Sequence, residues 1–292
     1  MIIKKRRGII LAGGLGTRLH PITIAVSKQL LPLYDKPMIY YPISTLMSAG
    51  IKDILIITNP QDNESFKRLL DDGSQWGINI EYCIQPNPEG IAQAFIIGEN
   101  FIQDHSVVLA LGDNLFHGEG LNESLLTASK EKVGADIFVY PVKDPERYGV
   151  VEFNEKFEVT KIEEKPKYPK SKYAVTGLYF YDNEIIEKAK QISPSKRGEL
   201  EITDINNMYL NEHKLRAKLM GRGTTWLDTG TYESLQAAGS YIKTIEARQG
   251  LKIGSPEETA WRMGFISDSD LKNLGQKYNK SGYGDYLFEL LN

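Results

Sequence analysis

The first half of the chain alternates short runs of aliphatic and β-branched residues with amphipathic stretches, and few folds accept that rhythm. Residues 8–12, 53–58, 79–84, 106–111 and 136–142 read as strands, and residues 41–49, 63–70, 91–101 and 121–132 between them carry helical spacing. Strands that are apolar on both faces and separated by helices belong in a mostly parallel sheet covered on both sides, with right-handed crossovers. The rhythm breaks near Tyr148. Residues 150–153, 159–163 and 175–181 are strand-like with no long helix between them, which predicts an antiparallel excursion beside the parallel sheet.

Helical patterns follow at 184–192 and 201–212, then a strand at 215–220, then a tail that is helical from 232 onward. Ser255-Pro256-Glu257-Glu258 and residues 267–270 carry helix-start signals, and the apolar end from Tyr286 to Leu291 is expected to dock on the body or on a second copy. The expected fold is therefore α/β: a mostly parallel, Rossmann-like sheet flanked by helices, with a small antiparallel excursion and a C-terminal helical extension. Residues 1–230 form one unit in this reading, with parts at about 1–147 and 148–230, and 231–292 form the extension.

Charge narrows the function classes. The 35 Lys and Arg nearly cancel the 38 Asp and Glu, so no overall basic field exists to attract nucleic acid, and an anionic ligand must be held by local charges. The one basic run, Lys4-Lys5-Arg6-Arg7, is short and abuts a strand; it reads as a solvated strand entry. The apolar runs fall far short of the roughly 20 residues a spanning helix needs. The first residues also lack the apolar stretch of a signal peptide, so a soluble cytoplasmic protein with no membrane partner is expected. Cys83, the lone cysteine, sits in a strand-like stretch and reads as a small core residue. With only four histidines beside it, no zinc-type ligand set can be assembled by spacing.

The first strand empties into Gly13-Gly14-Leu15-Gly16-Thr17-Arg18. Glycines there expose backbone N–H groups to close approach, which suits phosphate oxygens, and Arg18 adds a permanently charged bidentate donor. The segment lacks the Gly-Lys-Ser/Thr ending of a P-loop and the glycine spacing of a dinucleotide fingerprint. Lys28, ten residues on, is a second clamp in this setting. The turn from Gln85 to Gly90 joins a strand to a helix, and a glutamine amide supplies the donor and acceptor that a pyrimidine edge requires. Asp113, at the carboxyl end of an apolar strand, and the distant Asp228 suit Mg2+, a hard ion that takes few carboxylates plus phosphate oxygens and water.

Residues 11–19, with 27–32 and Asp35-Lys36-Pro37-Met38 behind them, resemble the opening of the sugar-1-phosphate nucleotidylyltransferases. The likeness runs through separated motifs over essentially the whole chain and points to the longer, thymidylyl-transferring members. It implies transfer from dTTP to glucose 1-phosphate, giving dTDP-glucose and pyrophosphate, as the first step of dTDP-rhamnose or related deoxysugar synthesis. Carried onto this sequence, the nucleotide falls to Leu11, Gly13, Gly14, Gly16, Thr17, Arg18, Gln85, Pro88, Gly90 and Asp113. The sugar phosphate falls to Lys28, Gln29, Asn114, Tyr148, Gly149, Glu164, Lys165, Val175 and Trp226.

On the same resemblance, Asp113 and Asp228 hold Mg2+, while Arg18 and Lys28 act on the reacting phosphates. Residues 197–204 match too, with a structural role in supporting Asp228 as the expectation. Long members are homotetramers with a second nucleotide site used for feedback by dTDP-rhamnose, and Gly118, Arg222 and Arg262 are the candidate contributors here. A uridylyl- or other nucleotidylyltransferase, or a catalytically silent nucleotide-sugar-binding subunit, remains an alternative at this stage.

Overall fold

The computed structural model describes residues 6–292. In chain order its strands are β1 (Arg7–Ala12), the two-residue β2 (Pro32–Leu33) and β3 (Lys36–Pro37), β4 (Asp53–Thr58), β5 (Asn79–Ile84), β6 (Val107–Leu111), β7 (Asn114–Gly118), β8 (Ala135–Pro141), β9 (Gly149–Phe153), β10 (Val159–Glu164), β11 (Tyr173–Tyr181), β12 (Leu215–Leu219) and β13 (Thr224–Asp228). The helices are α1 (Tyr40–Ser48), α2 (Asn63–Leu70), α3 (Gln93–Ile97), α4 (Glu99–Ile102), α5 (Leu121–Lys130), α6 (Ile185–Gln191), α7 (Ile202–Asn211), α8 (Tyr232–Gln249), α9 (Pro256–Arg262), α10 (Asp268–Lys277) and α11 (Gly282–Glu289).

The β6-β1-β4-β5 half of the central sheet is parallel, with Ile9 of β1 opposite Leu55 of β4 on one side and Leu109 of β6 on the other. Ile9, Ile10, Ile54 and Ile56 are fully buried, as expected of strands covered on both faces. Beyond β6 the sheet becomes mixed. β11 runs antiparallel to β6, β8 and β9, and β10 runs antiparallel to β9. Residues 135–141 therefore join the sheet through antiparallel β11 and a parallel pairing with β12, rather than by extending the first parallel run.

Two apolar layers sandwich the sheet. One buries Ile43 and Leu46 of α1 and Leu125 of α5 together with Ala260, Leu271 and Leu287 of the tail helices. The other buries Phe95 of α3, Ile185 of α6 and Ile205 of α7. The helix expected over 91–101 divides at Gly98, where a Cβ would lie 2.9 Å from Ile9 Cδ1; the glycine lets the chain settle directly on β1. A third cluster, with Met38, Ala238 and Ile242, fastens α8 against the β2–β3 ribbon.

The apolar C-terminus docks on its own body: Leu287 is fully buried, and the Tyr283 hydroxyl donates to Glu257 (2.6 Å). Lys36 of the ribbon pairs with Glu246 of α8 (2.9 Å), and Lys252 reaches both Glu246 (3.4 Å) and Asp35. The basic run corrects one expectation. Lys4 and Lys5 lie outside the described residues, and Arg6 is buried rather than solvated, donating to the carbonyls of Val107 and Tyr181 at 2.8 Å each. Burial pulls its pKa down to about 10, and the charge stays because those acceptors satisfy it.

Candidate active site

β1 ends at Ala12, and the chain then makes no regular pairing until Thr17. The amides of Gly13, Gly14, Leu15 and Gly16 donate to no acceptor among the described residues, so the strand end presents a row of free N–H groups. The three glycines of this turn serve different ends. Gly16 takes a left-handed conformation, φ 61°, and its carbonyl is held by the Thr23 hydroxyl at 2.7 Å. A Cβ on Gly13 would run into the buried side chain of Gln85, whereas Gly14 faces open space. Gly16, Thr17 and Arg18 line a cleft of about 240 Å3 with Lys28, Asp113, Asp228 and Gly230. Arg18 is exposed and has no ion-pair partner among the described residues.

A second cavity, about 170 Å3, opens beside the first between β6, β7 and the antiparallel strands. Asn114, Tyr148, Gly149, Glu164, Lys165, Val175 and Trp226 all line it. The two cavities share Asp113 and Asp228. What brings these aspartates together is the β7–β13 pair, whose register sets Asp228 opposite Asn114, while the Thr229 amide and hydroxyl both donate to the Asp113 carbonyl at 3.2 and 3.0 Å.

Each aspartate has a resident cation. Lys28, almost wholly buried, pairs with Asp113, whose other oxygen accepts from the Asn114 amide at 2.8 Å. Burial by itself would raise the Asp113 carboxyl, but the Lys28 ammonium and these donors hold it below the ordinary carboxylate range. Asp228 accepts from Arg147 at 3.0 Å and from the Tyr148 hydroxyl at 3.1 Å. Burial and the Asp228 charge push the Tyr148 phenol well up, so it remains a donor at any working pH.

The wall of the second cavity is cross-braced. Asn114 Oδ1 accepts from Trp226 Nε1 (2.5 Å) and from the Gly177 amide (3.2 Å), and the Tyr148 ring meets Trp226 edge-on, centroids 5.1 Å apart. Glu164 accepts from Thr203 at 2.5 Å and from Arg197 at 3.4 Å, with Lys165 3.6 Å away. Residues 197–204 thus brace Glu164, not Asp228 as expected. Leu200 also clips the second turn in place: its amide donates to Glu89 (2.7 Å), and a Cβ on Gly90, φ 112°, would come within 2.5 Å of the Leu200 backbone. On that turn Pro88 is exposed, and Gln85 gives one of its two amide donors to Gln93 (2.5 Å).

Of the residues grouped with the sugar phosphate, Lys28 lines the first cleft instead, and Gln29 lines neither cavity; its buried amide accepts from the Ser27 hydroxyl at 2.7 Å. Gly118 and Arg262 border neighbouring clefts that share Lys252 and Thr259 and no residue of the two cavities above. Arg262 pairs with Glu258 (2.7 Å), and Arg222 is exposed on the turn beside Gly223, which abuts Gly118. Arg147 and Thr203 were missed by reasoning from sequence, although Arg147 directly precedes Tyr148 and Thr203 lies in a matched motif.

Among the described residues no three or more His, Cys, Asp or Glu side chains converge as a metal cluster. A metal at Asp113 and Asp228 would therefore complete its shell from ligand oxygens and water, the donor set that suits magnesium. Among the described residues no helix is long and apolar enough to cross a membrane.

Comparison with known proteins bears on the family and the fold. The nucleotidyl transferase family model matches residues 7–244. A glucose-1-phosphate thymidylyltransferase of Neisseria meningitidis is 59% identical over 98% of this chain and 99% of its own length, and one of Mycobacterium tuberculosis is 56% identical over the same shares. A solved structure of a putative glucose-1-phosphate thymidylyltransferase from Bacillus anthracis, in complex with sucrose, superposes with a TM-score of 0.75 at 42% identity, covering 81% of this chain and 94% of that one. A UDP-glucose pyrophosphorylase complexed with UDP-glucose shares the fold at 24% identity, with a TM-score of 0.72, covering 82% of this chain and 100% of that one.

Proposed function

The chain belongs to the nucleotidyl transferase family, among its glucose-1-phosphate thymidylyltransferases, and on that premise we propose that it transfers a thymidylyl group from dTTP to glucose 1-phosphate, releasing pyrophosphate and dTDP-glucose. One observation carries the reading: an amide-lined cleft with Arg18 and Lys28 meets a second, hydroxyl- and carboxylate-lined cavity at a pair of aspartates. Two anionic substrates can thus lie end to end with their reacting phosphates at the junction.

The chemistry asks little of a general base. A sugar phosphate with a second pKa near ~6 is largely a dianion at neutral pH, and one of its oxygens attacks the α-phosphorus of dTTP as pyrophosphate departs in line. The barrier lies in bringing two polyanions together, so alignment and fixed positive charge are the catalytic resources. The free amides of Gly13 to Gly16 and the Arg18 guanidinium hold the departing phosphates. Lys28, pinned against Asp113, meets the charge at the α-phosphate, and Lys165 orients the attacking phosphate, with Glu164 accepting from sugar hydroxyls. Magnesium, held by Asp113 and Asp228, would supply further charge neutralisation at the α-phosphate. The Gln85–Gly90 turn faces the thymine.

The test is product identity. The protein is incubated with glucose 1-phosphate, Mg2+ and each nucleoside triphosphate in turn; dTDP-glucose formed fastest from dTTP supports the reading, and a preferred UDP-glucose or no pyrophosphate overturns it. In the same reading the enzyme works in the cytoplasm as a homotetramer supplying dTDP-rhamnose synthesis. A second nucleotide site near Gly118, Arg222 and Arg262 takes dTDP-rhamnose as feedback ligand, and loss of that inhibition in Arg262→Ala with turnover retained is its check.

A further inference from the structure

We infer that Arg147 is the counter-ion a divalent cation must displace from Asp228, and that the displaced guanidinium then serves the sugar phosphate in the adjoining cavity. The inference rests on the transfer reading above, in which Asp113 and Asp228 hold the metal.

All four oxygens of the two aspartates are already engaged by the protein's own donors. Asp113 takes Lys28 on one oxygen and the Asn114 amide on the other. Asp228 takes Arg147 on Oδ2 at 3.0 Å and the Tyr148 hydroxyl on Oδ1 at 3.1 Å. A divalent ion at Asp228 crowds the same two oxygens and puts two positive charges beside the guanidinium, so the two occupants compete.

The two resident cations differ in freedom. The Lys28 side chain is 9% exposed and confined, whereas that of Arg147 is 38% exposed. Its backbone is fixed, the following amide donating to the Pro145 carbonyl at 3.0 Å, so only the side chain has room to swing. Asp144 holds its other nitrogen at 2.7 Å and provides a pivot. Arg147 already lines the same cavity as Glu164 and Lys165, so a released guanidinium has that cavity within reach. Released from Asp228, it adds a second cation, planar and bidentate, where the sugar's phosphate is received. Because the swap links the two events, cation and sugar phosphate each raise the other's affinity by one common factor.

The test uses the full-length protein without nucleotide and Mn2+ as the probe, read by electron paramagnetic resonance, with glucose 1-phosphate affinity measured calorimetrically with and without Mn2+. Arg147→Gln is expected to bind Mn2+ about three- to fivefold more tightly than the unmodified protein, the loss of a half-exposed ion pair. Its glucose 1-phosphate affinity is expected to lose its response to Mn2+. Arg147→Lys, which keeps the charge, is expected to restore most of both properties. Mn2+ affinity in Arg147→Gln that is unchanged or weaker overturns the inference, as does a glucose 1-phosphate response to Mn2+ that persists in it. Asp228→Asn in the same titration separates the two levels: Mn2+ binding untouched by that change would sink the metal assignment itself, whatever Arg147 does.

Discussion

Replacing Lys28 by methionine should separate what this lysine does for folding from what it does for catalysis. Removing one partner of a fully buried ion pair costs about 3–5 kcal/mol, because the other charge is left without compensation. Here the Asp113 side chain is 26% exposed and keeps its bond from the Asn114 amide, so water and that donor recover roughly half, leaving a loss of about 2 kcal/mol. Adding Asp113→Asn removes the orphaned charge and should return about 1 kcal/mol of that loss. Urea unfolding followed by tryptophan fluorescence reads both changes. Catalysis should suffer far more than stability. Loss of one preorganised charge donor at a reacting centre costs about 2.7–4 kcal/mol of transition-state stabilisation, a fall of about 10²–10³ in turnover. A coupled pyrophosphate assay well below the variant's melting temperature measures it. A folded Lys28→Met protein with turnover within a factor of about three of the parent (~0.7 kcal/mol) would refute the role assigned to the ammonium.

Three further outcomes follow from the same contacts. The Asp113 carboxyl is held below its ordinary range in the folded state, so its contribution is fully present above the unfolded carboxylate pKa and is lost as pH falls through the lower folded value. The stability difference between the parent and Asp113→Asn should accordingly be constant near neutrality and shrink in acid; a difference independent of pH down to the folded value contradicts the pairing. Gly177→Ala places a methyl 2.7 Å from Asn114 Oδ1, displacing the residue that joins Trp226 to the Asp113 carboxyl, and should raise KM for glucose 1-phosphate about tenfold or more, against a smaller change for dTTP. Lys36→Met leaves Glu246, whose side chain is 6% exposed, with the Ile253 amide (2.9 Å) and the longer contact from Lys252, and no close cation. It should cost about 2–3 kcal/mol in urea unfolding, and a loss under 0.5 kcal/mol would show that the cluster is solvated.

Where a segment's partners lie close in sequence, the amino-acid pattern was enough. Residues 53–58, 79–84 and 63–70 form β4, β5 and α2 with the boundaries read from their apolar periodicity. The glycine turn after β1 and the aspartate after β6 were legible for a similar reason: both follow long apolar strands, and open α/β sheets receive ligands at strand ends. The β7–β13 pair was not legible. Asn-Leu-Phe-His-Gly and Thr-Thr-Trp-Leu-Asp are short, mixed in polarity, and pair with each other across more than a hundred residues, a relation no local window contains. Yet that pair sets Asp113 and Asp228 side by side. Arg147 was hidden likewise, lying in a one-turn Pro-Glu-Arg segment whose decisive partner is Asp228, 81 positions on. Arg6 looked solvated because its neighbours are charged; its acceptors are carbonyls of β6 and β11, which only the folded sheet delivers.

The most direct test of two anions meeting at the aspartate junction is a crystal structure with dTTP and a non-reacting glucose 1-phosphonate bound together. The triphosphate is expected on the amides of Gly13 to Gly16 and on Arg18, with the phosphonate between Lys165 and the α-phosphate. A triphosphate lying outside the Arg18–Lys28 cleft, or a sugar outside the cavity walled by Glu164 and Trp226, would contradict it.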